Sequence, residues 1–313
     1  MDCPPSWMRL ACRMAPLALL AACEPAEGDD DTTADDDTTA DDDTTADDDT
    51  TADDDTTADD DTTADDDTTA DDDTTPPVET FAVGTLDSDR AGAASVAEGS
   101  LFAAFRAQWT GGLTVAAEFH ANSVLSEAFV DTVDVLVLTA QTAGDVVAGP
   151  FEDSELFQID QFLRSGRPVV ILTDANADAD ATALNTALLT PFGLSTHTTA
   201  AGAVMAFASA PAAHAITSVP NTVTSIAQFD SGPYDTLGTA TLLTAMQGAP
   251  GFGAAVMDPG VYGGVLDSGA VVFFADMNTF FDAANPLSVT GYAEDSSALI
   301  ENLGEYVIAH RAP

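Results

Sequence analysis

The feature that most limits what this chain can fold into is an acidic repeat near its start. Eight copies of Asp-Asp-Asp-Thr-Thr, separated by single alanines, run from Asp29 to Thr75. The repeat has no apolar residue larger than alanine, so it cannot bury enough surface to offset the entropy of an ordered chain. We therefore predict a disordered tether. Two additions to a plain spacer stay open: loose Ca²⁺ binding by the carboxylates and O-glycosylation of the threonine pairs.

The segment before the repeat has the parts of an export signal. Two arginines precede the apolar run 14–22, which is too short to span a bilayer. The run ends in Leu20-Ala21-Ala22, and Cys23 follows directly. This junction resembles a bacterial lipoprotein signal, which implies cleavage before Cys23 and lipidation of its thiol. The alternative is an ordinary secretory signal in which Cys23 is accidental.

Three segments follow from this interpretation: a signal peptide over 1–22, a lipidated cysteine and tether over 23–77, and a folded domain over 78–313. We expect a membrane-anchored lipoprotein of the bacterial cell envelope, either periplasmic or surface-exposed. All three cysteines lie at or before position 23. After cleavage the folded domain would therefore have no disulfide and no catalytic thiol.

Charge narrows the range of partners. Residues 78–313 contain 26 acidic residues, five arginines and no lysine. Such a domain lacks the basic face that nucleic-acid phosphates require, and it would be repelled by anionic lipid headgroups. There is also no glycine-rich loop followed by a helix and a lysine, so we do not expect nucleotide binding.

The pattern of residues 78–313 alternates short apolar runs with amphipathic stretches, which favours an α/β fold. We predict a doubly wound, mostly parallel, flavodoxin-like sheet. The predicted strands are 81–86, 113–119, 133–138, 168–173 and 270–275, with shorter strands near 223, 241 and 255, and the predicted helices are 99–108, 153–164, 181–189 and 296–309.

Four sequence motifs occur in an order that resembles a known superfamily. They are Asp134-Val-Leu-Val-Leu, Ser165-Gly-Arg-Pro-Val-Val-Ile-Leu, His214-Ala-Ile-Thr and the segment 272–280. Together they resemble the class I glutamine amidotransferase-like superfamily, and more narrowly its noncatalytic branch in gliding-motility and intraflagellar-transport proteins. In catalytic members a cysteine follows a core strand. Here the matching place is occupied by Thr173 and Asp174, which implies that amidotransfer is absent.

Oxygen side chains at alternate positions follow the predicted strand 168–173. Asp174, Asn176, Asp178 and Asp180 resemble the start of a calcium-binding loop. The loop departs from that pattern because Ala179 replaces its glycine and Asn185 replaces its terminal glutamate. Ca²⁺ is thus the one cofactor that the sequence suggests. The alternative is that Asp178 or Asp180 caps the following helix.

A second candidate site follows from the geometry of parallel sheets, which bind ligands beyond the carboxyl ends of their strands. Asp174 and Asn176 follow one predicted core strand, and Asp276 and Asn278 follow another. These four side chains are ligand-binding candidates. We assign no catalytic residue, and we interpret the scattered histidines as surface or turn residues: His120, His197, His214 and His310.

These observations favour three functions in order. The first is a noncatalytic, membrane-tethered lipoprotein whose α/β domain binds an envelope protein or glycan. The second is a hydrolase that uses carboxylate or metal-assisted chemistry around Asp174 and Asp276. The third is a calcium-dependent structural or adhesion module.

Overall fold

The fold is known from a computed structural model of the chain. It describes residues 79–139, 151–174, 179–196, 206–207, 212–228, 232–246, 250–275, 277–281 and 293–312. The predicted signal, the lipidation site Cys23 and the acidic repeat lie outside these residues, so those predictions remain untested. No helix within the described ranges has the length and apolar character to cross a membrane.

A nine-stranded sheet forms the centre of the domain, in the order β2-β1-β3-β4-β11-β10-β8-β5, with β9 paired to β10. Its strands are β1 Thr80–Leu86, β2 Ala116–Asn122, β3 Val135–Thr139, β4 Val169–Leu172, β5 Leu194–Thr196, β8 Tyr234–Leu237, β9 Thr241–Ala245, β10 Phe252–Met257 and β11 Val271–Phe274; Ala206–Phe207 (β6) and Ala227–Gln228 (β7) pair separately. The five neighbouring strands from β2 to β11 are parallel, and β10 begins the antiparallel part.

Helices cover both faces of this sheet. They are α1 Ser88–Ala91, α2 Ala103–Gly111, α3 Glu127–Val130, α4 Asp153–Arg164, α5 Ala179–Leu189, α6 Ala215–Ser218 and α7 Ala293–Ala309. This confirms the predicted α/β, mostly parallel, flavodoxin-like class. The predicted second strand is shifted, because the observed β2 begins at Ala116 instead of residue 113.

The two faces are assembled from alternate residues of the same strands, as the pleat of a strand requires. On the α2/α7 face, strand residues such as Val137 and Phe274 pack against Phe105 and Trp109 of α2 and Leu303 of α7. On the α4/α5 face, alternate strand residues pack against a different set of helix residues, which includes Ile159, Phe162, Leu163, Leu188 and Leu189.

The sheet also has two ends, which we call the carboxyl edge and the amino edge after the direction of β1, β3, β4 and β11. The candidate residues Asp174 and Asn278 follow β4 and β11 and so belong to the carboxyl edge. Strand β10 runs the other way, because Met257 at its end is paired with Val271 at the start of β11. Asp258 therefore lies at the amino edge.

Candidate functional site

The carboxyl ends of β4 and β11 meet, which brings the starts of the two candidate segments together. Phe274 is paired with Leu172 in the parallel register. Beyond that pair, the Thr173 amide donates to the Phe274 carbonyl at 2.9 Å, and the Met277 amide donates to the Thr173 carbonyl at 2.9 Å. The two loop starts are therefore fixed to each other by backbone hydrogen bonds.

Two of the predicted ligand-binding residues fall on this junction, and both are largely buried. Asp174 is 8% exposed and Asn278 is 7% exposed. Asn176 and Asp276 lie outside the described residues. The described part of the predicted site thus consists of a carboxyl group and an amide at the ends of adjacent strands.

The predicted calcium loop is described only at its two ends. Asp178 lies outside the described residues, and the side chain of Asp180 is not described either. Helix α5 begins at Ala179, so Asp180 belongs to its first turn and not to the position before it. Asn185, which replaces the terminal glutamate of a calcium loop, donates from Nδ2 to the Asp174 carbonyl at 2.8 Å. Asn185 therefore ties α5 to the end of β4, while calcium binding stays a prediction.

Thr173 is, with Asp174, one of the two residues that the resemblance aligns with the cysteine of catalytic members. Its hydroxyl is fully buried and donates to the Phe274 carbonyl at 3.1 Å. The same oxygen lies 3.2 Å from the Tyr234 hydroxyl. The first contact joins the end of β4 to the adjacent strand β11, and the second reaches β8, three strands away in the sheet, so this hydroxyl is used in holding the sheet edge together.

A buried ion pair borders the same edge. Arg90 and Glu155 are 65 residues apart in the chain, and Arg90 Nη2 donates to Glu155 Oε2 at 2.8 Å. Arg90 also donates to the Ser123 carbonyl at 2.9 Å, and its guanidinium lies over the Phe151 ring. The pair therefore joins α1, the loop after β2 and the start of α4.

Glu155 remains ionised despite its burial. Burial opposes its charge, but hydrogen bonds from Arg90 and from the Glu152 and Leu125 amides outweigh that effect and hold the pKa of Glu155 below its ordinary value. Nothing in the sequence links these two distant residues. The one available signal was the scarcity of arginine in so acidic a domain, which makes each arginine a candidate structural partner.

A second cluster lies at the amino edge, where the sequence predicted no functional site. The Ile216 amide donates to His214 Nδ1 at 3.2 Å, so Nε2 carries the ring proton and donates to Asp258 Oδ1 at 3.1 Å. The Tyr306 hydroxyl donates to the same oxygen at 2.8 Å. His214 is thus a turn histidine, as predicted, but it has an aspartate partner 44 residues away. This partner was missed because it becomes adjacent only in the fold.

Partial burial and close contacts shift the pKa values of two groups in and beside this cluster, Asp258 and His310. Burial opposes ionisation of Asp258, but the hydroxyl of Tyr306 and the ring of His214 more than compensate, so the pKa of Asp258 is lowered. Burial lowers the pKa of His310, against the attraction of Asp258. Within the described ranges, no three histidine, cysteine or acidic residues are placed to hold a metal ion.

Comparison with solved structures defines the class of fold. The domain is similar to the N-terminal domain of mmIFT52, with a TM-score of 0.53 and 9% identity over 72% of this chain and 96% of that one. A glutamine amido transferase from Methylobacillus flagellatus gives a TM-score of 0.44 and 11% identity, covering 75% and 96% of the two chains. A ThuA-like protein from Parabacteroides merdae gives a TM-score of 0.41 and 10% identity, covering 76% and 92% of the two chains.

The domain therefore shares the fold of the mmIFT52 N-terminal domain. No protein-family model and no curated protein sequence matches the chain. At 9% identity, the likeness to the mmIFT52 domain extends to the fold alone.

Proposed function

We propose that this chain is a bacterial lipoprotein, anchored through Cys23, whose α/β domain is a noncatalytic binding domain presented to an envelope protein or glycan on the acidic tether. The observation that carries the noncatalytic part is the state of Thr173. Its buried hydroxyl is engaged with the Phe274 carbonyl and the Tyr234 hydroxyl. An alcohol needs an adjacent general base to act as a nucleophile, and these two partners are a carbonyl and another alcohol.

The anchoring part rests on the sequence. The tetrapeptide that ends at Cys23 supports lipidation, and a stable anchor requires at least two acyl chains, as a lipidated N-terminal cysteine usually carries. The acidic repeat supports a spacer role because it has nothing to bury and repels itself. Its length would set how far the domain reaches from the membrane.

The test of anchoring is the fractionation of cells that express the full chain with radiolabelled palmitate. We expect the wild-type protein to be labelled and to sediment with membranes. Cys23→Ser should lose the label and appear in the soluble fraction, whereas the matched variant Cys12→Ser should behave as wild type. Equal labelling of both variants would contradict the proposal.

The test of partner binding is crosslinking in intact cells. A photo-crosslinking residue at exposed positions of the domain should give a discrete adduct with the full-length chain. Deleting half of the copies between Asp29 and Thr75 should weaken that adduct while the domain stays folded. An unchanged adduct in the shortened chain would remove the role of the tether.

One observation favours hydrolysis as a second candidate. Asp174 is a largely buried carboxyl group after one core strand, and the largely buried Asn278 follows the adjacent strand, at the edge where parallel sheets bind ligands. A hydrolase would show turnover of an ester or glycoside substrate that Asp174→Asn abolishes. An undiminished turnover in Asp174→Asn would reject this candidate.

A further inference from the structure

A small apolar cleft lies on the α4/α5 face, away from the carboxyl edge. It is lined by residues of α4, of α5, of the turn after α5 and of the loop that follows β10: Leu156, Ile159, Asp160, Leu188, Pro191, Phe192 and Tyr262. The volume of the cleft is about 30 Å³. That space is far below the size of ordinary small-molecule sites and admits no more than one small side chain.

Exposed apolar side chains occur on the same helix and the same loop that line this cleft. Phe157 is 57% exposed and follows Leu156 on α4, and Val261 precedes Tyr262 in the loop after β10. Leu266, in the same loop as Tyr262, is 90% exposed. Single exposed apolar residues need no explanation, but several next to an apolar cleft are typical of a docking surface.

The charge around the cleft is negative. Asp160 lines it, and Asp153 lies one turn before Phe157 on the surface of α4. The nearby cation is Arg164, which donates to Asp160 at 2.8 Å and lies over the Tyr262 ring. Asp160 also accepts from the Tyr262 hydroxyl at 2.8 Å. The rim is therefore an ordered surface whose positive charge is already paired.

Every arginine of the domain already makes a polar contact within the fold. Arg90, Arg164 and Arg311 are paired with acidic side chains. Arg106 and Arg167 donate to backbone carbonyls. With 26 acidic residues against these five arginines in 78–313, the surface offers strong attraction to a cation.

We propose that this cleft docks a basic peptide segment of a partner protein, with one apolar side chain inserted between α4 and Pro191. Lysine or arginine side chains beside that anchor would face the exposed carboxylate of Asp153 and the exposed ring of Phe157. This proposal rests on the proposed function as a partner-binding domain, and it states the chemistry of the partner.

The test is calorimetric titration of the full chain with a blocked Lys-Lys-Leu-Lys-Lys peptide and with its Leu-to-Ser counterpart, at about 0.15 M salt. The acidic repeat would attract both peptides equally, so the difference between them reports the cleft. We expect the leucine peptide to bind about tenfold tighter. Equal affinities would overturn the proposal.

Two variants that add the same charge distinguish insertion of the leucine into the cleft from general electrostatic attraction of the peptide. Pro191→Asp places a carboxylate in the cleft, and Thr110→Asp places one at an exposed position of α2, on the opposite face of the sheet. Docking in the cleft predicts that only Pro191→Asp abolishes the preference for leucine. Attraction by charge alone predicts that both variants tighten the binding of both peptides.

Phe157→Ser supplies a further variant in case Pro191→Asp fails to fold. It should reduce the preference for leucine severalfold, and an unchanged preference would exclude Phe157 from the surface. Equal peptide affinities together with a discrete adduct in cells would reject only this cleft. Loss of the cellular adduct would instead reject the proposed function.

Discussion

The α2/α7 face and the α4/α5 face bury alternate residues of the same strands, yet different contacts complete them. On the α2/α7 face, aromatic rings fill the space between helices and sheet, including Phe105 and Trp109 at a centroid distance of 4.5 Å. The α4/α5 face instead includes the Arg90–Glu155 pair and leaves a cleft beside Leu156. Dense packing stabilises the folded state. A buried ion pair costs desolvation energy, and an open apolar cleft forgoes packing contacts, so the α4/α5 face is the less stabilising of the two.

The largest effect should come from removing one partner of the buried pair. Glu155→Ala leaves the Arg90 guanidinium buried without its counter-charge, and we expect a loss of about 3–5 kcal/mol in the free energy of unfolding. Urea denaturation measures it. The exposed Glu127→Ala should change the free energy by less than about 0.5 kcal/mol. A small loss in Glu155→Ala would mean that the α4/α5 face is solvated around Arg90.

The next effect tests the tight packing of the α2/α7 face. A Cβ added at Gly304 would lie 2.5 Å from a Leu113 methyl carbon and 3.0 Å from Trp109 Nε1. Gly304→Ala should therefore cost about 1–3 kcal/mol, although alanine favours helices. Gly111→Ala is the matched control, because its Cβ meets nothing within 4 Å, and it should stabilise α2. Similar thermal melts for the two variants would contradict dense packing around α7.

A smaller effect concerns pH. Because burial lowers the pKa of His310, folding favours its neutral form, and the stabilisation is present above about pH 6.5 and lost as pH falls. The lowered pKa of Asp258 acts in the same direction at lower pH. Denaturation midpoints between about pH 7.5 and 5 should decline in wild type and decline less in His310→Gln. The half-exposed His120→Gln serves as control, and an identical slope in all three proteins would refute the effect.

The smallest effect concerns the exposed ring of α4. Phe157→Ser should change the free energy of unfolding by less than about 0.5 kcal/mol. On the same helix, Phe162→Ala should cost about 3–5 kcal/mol, because Phe162 is fully buried. Chemical denaturation of both proteins distinguishes a docking surface from a core. A large loss in Phe157→Ser would assign that ring to the core.

Sequence periodicity predicted the parts of the fold that rest on local signals. Helix α4 occupies the predicted range, because its apolar residues recur at helical spacing and Gly166 follows its end. The apolar runs around β3, β4 and β11 were also identified, since central parallel strands are apolar on both sides. The start of β2 was misplaced because its sequence, Ala-Ala-Glu-Phe-His-Ala-Asn, has little apolar alternation.

The polar contacts of the candidate sites were harder to predict from the sequence. That Asp174 and Asn278 share one edge followed from the rule that parallel strands end together. The Arg90–Glu155 pair and the His214–Asp258 contact did not follow, because each joins residues far apart in the chain whose approach depends on loop paths. Long-range polar contacts of this kind carry no periodic signal.

The contact between Arg311 and Glu79 places the first described residue next to a residue that closely follows the last helix. It holds the first described strand and the end of α7 together at the amino edge. Glu79 and Arg311 therefore lie at the edge opposite the one to which Asp174 and Asn278 belong, about 20 Å away along the strands. A bulky label attached at Glu79 or at Arg311 would leave the carboxyl edge unobstructed.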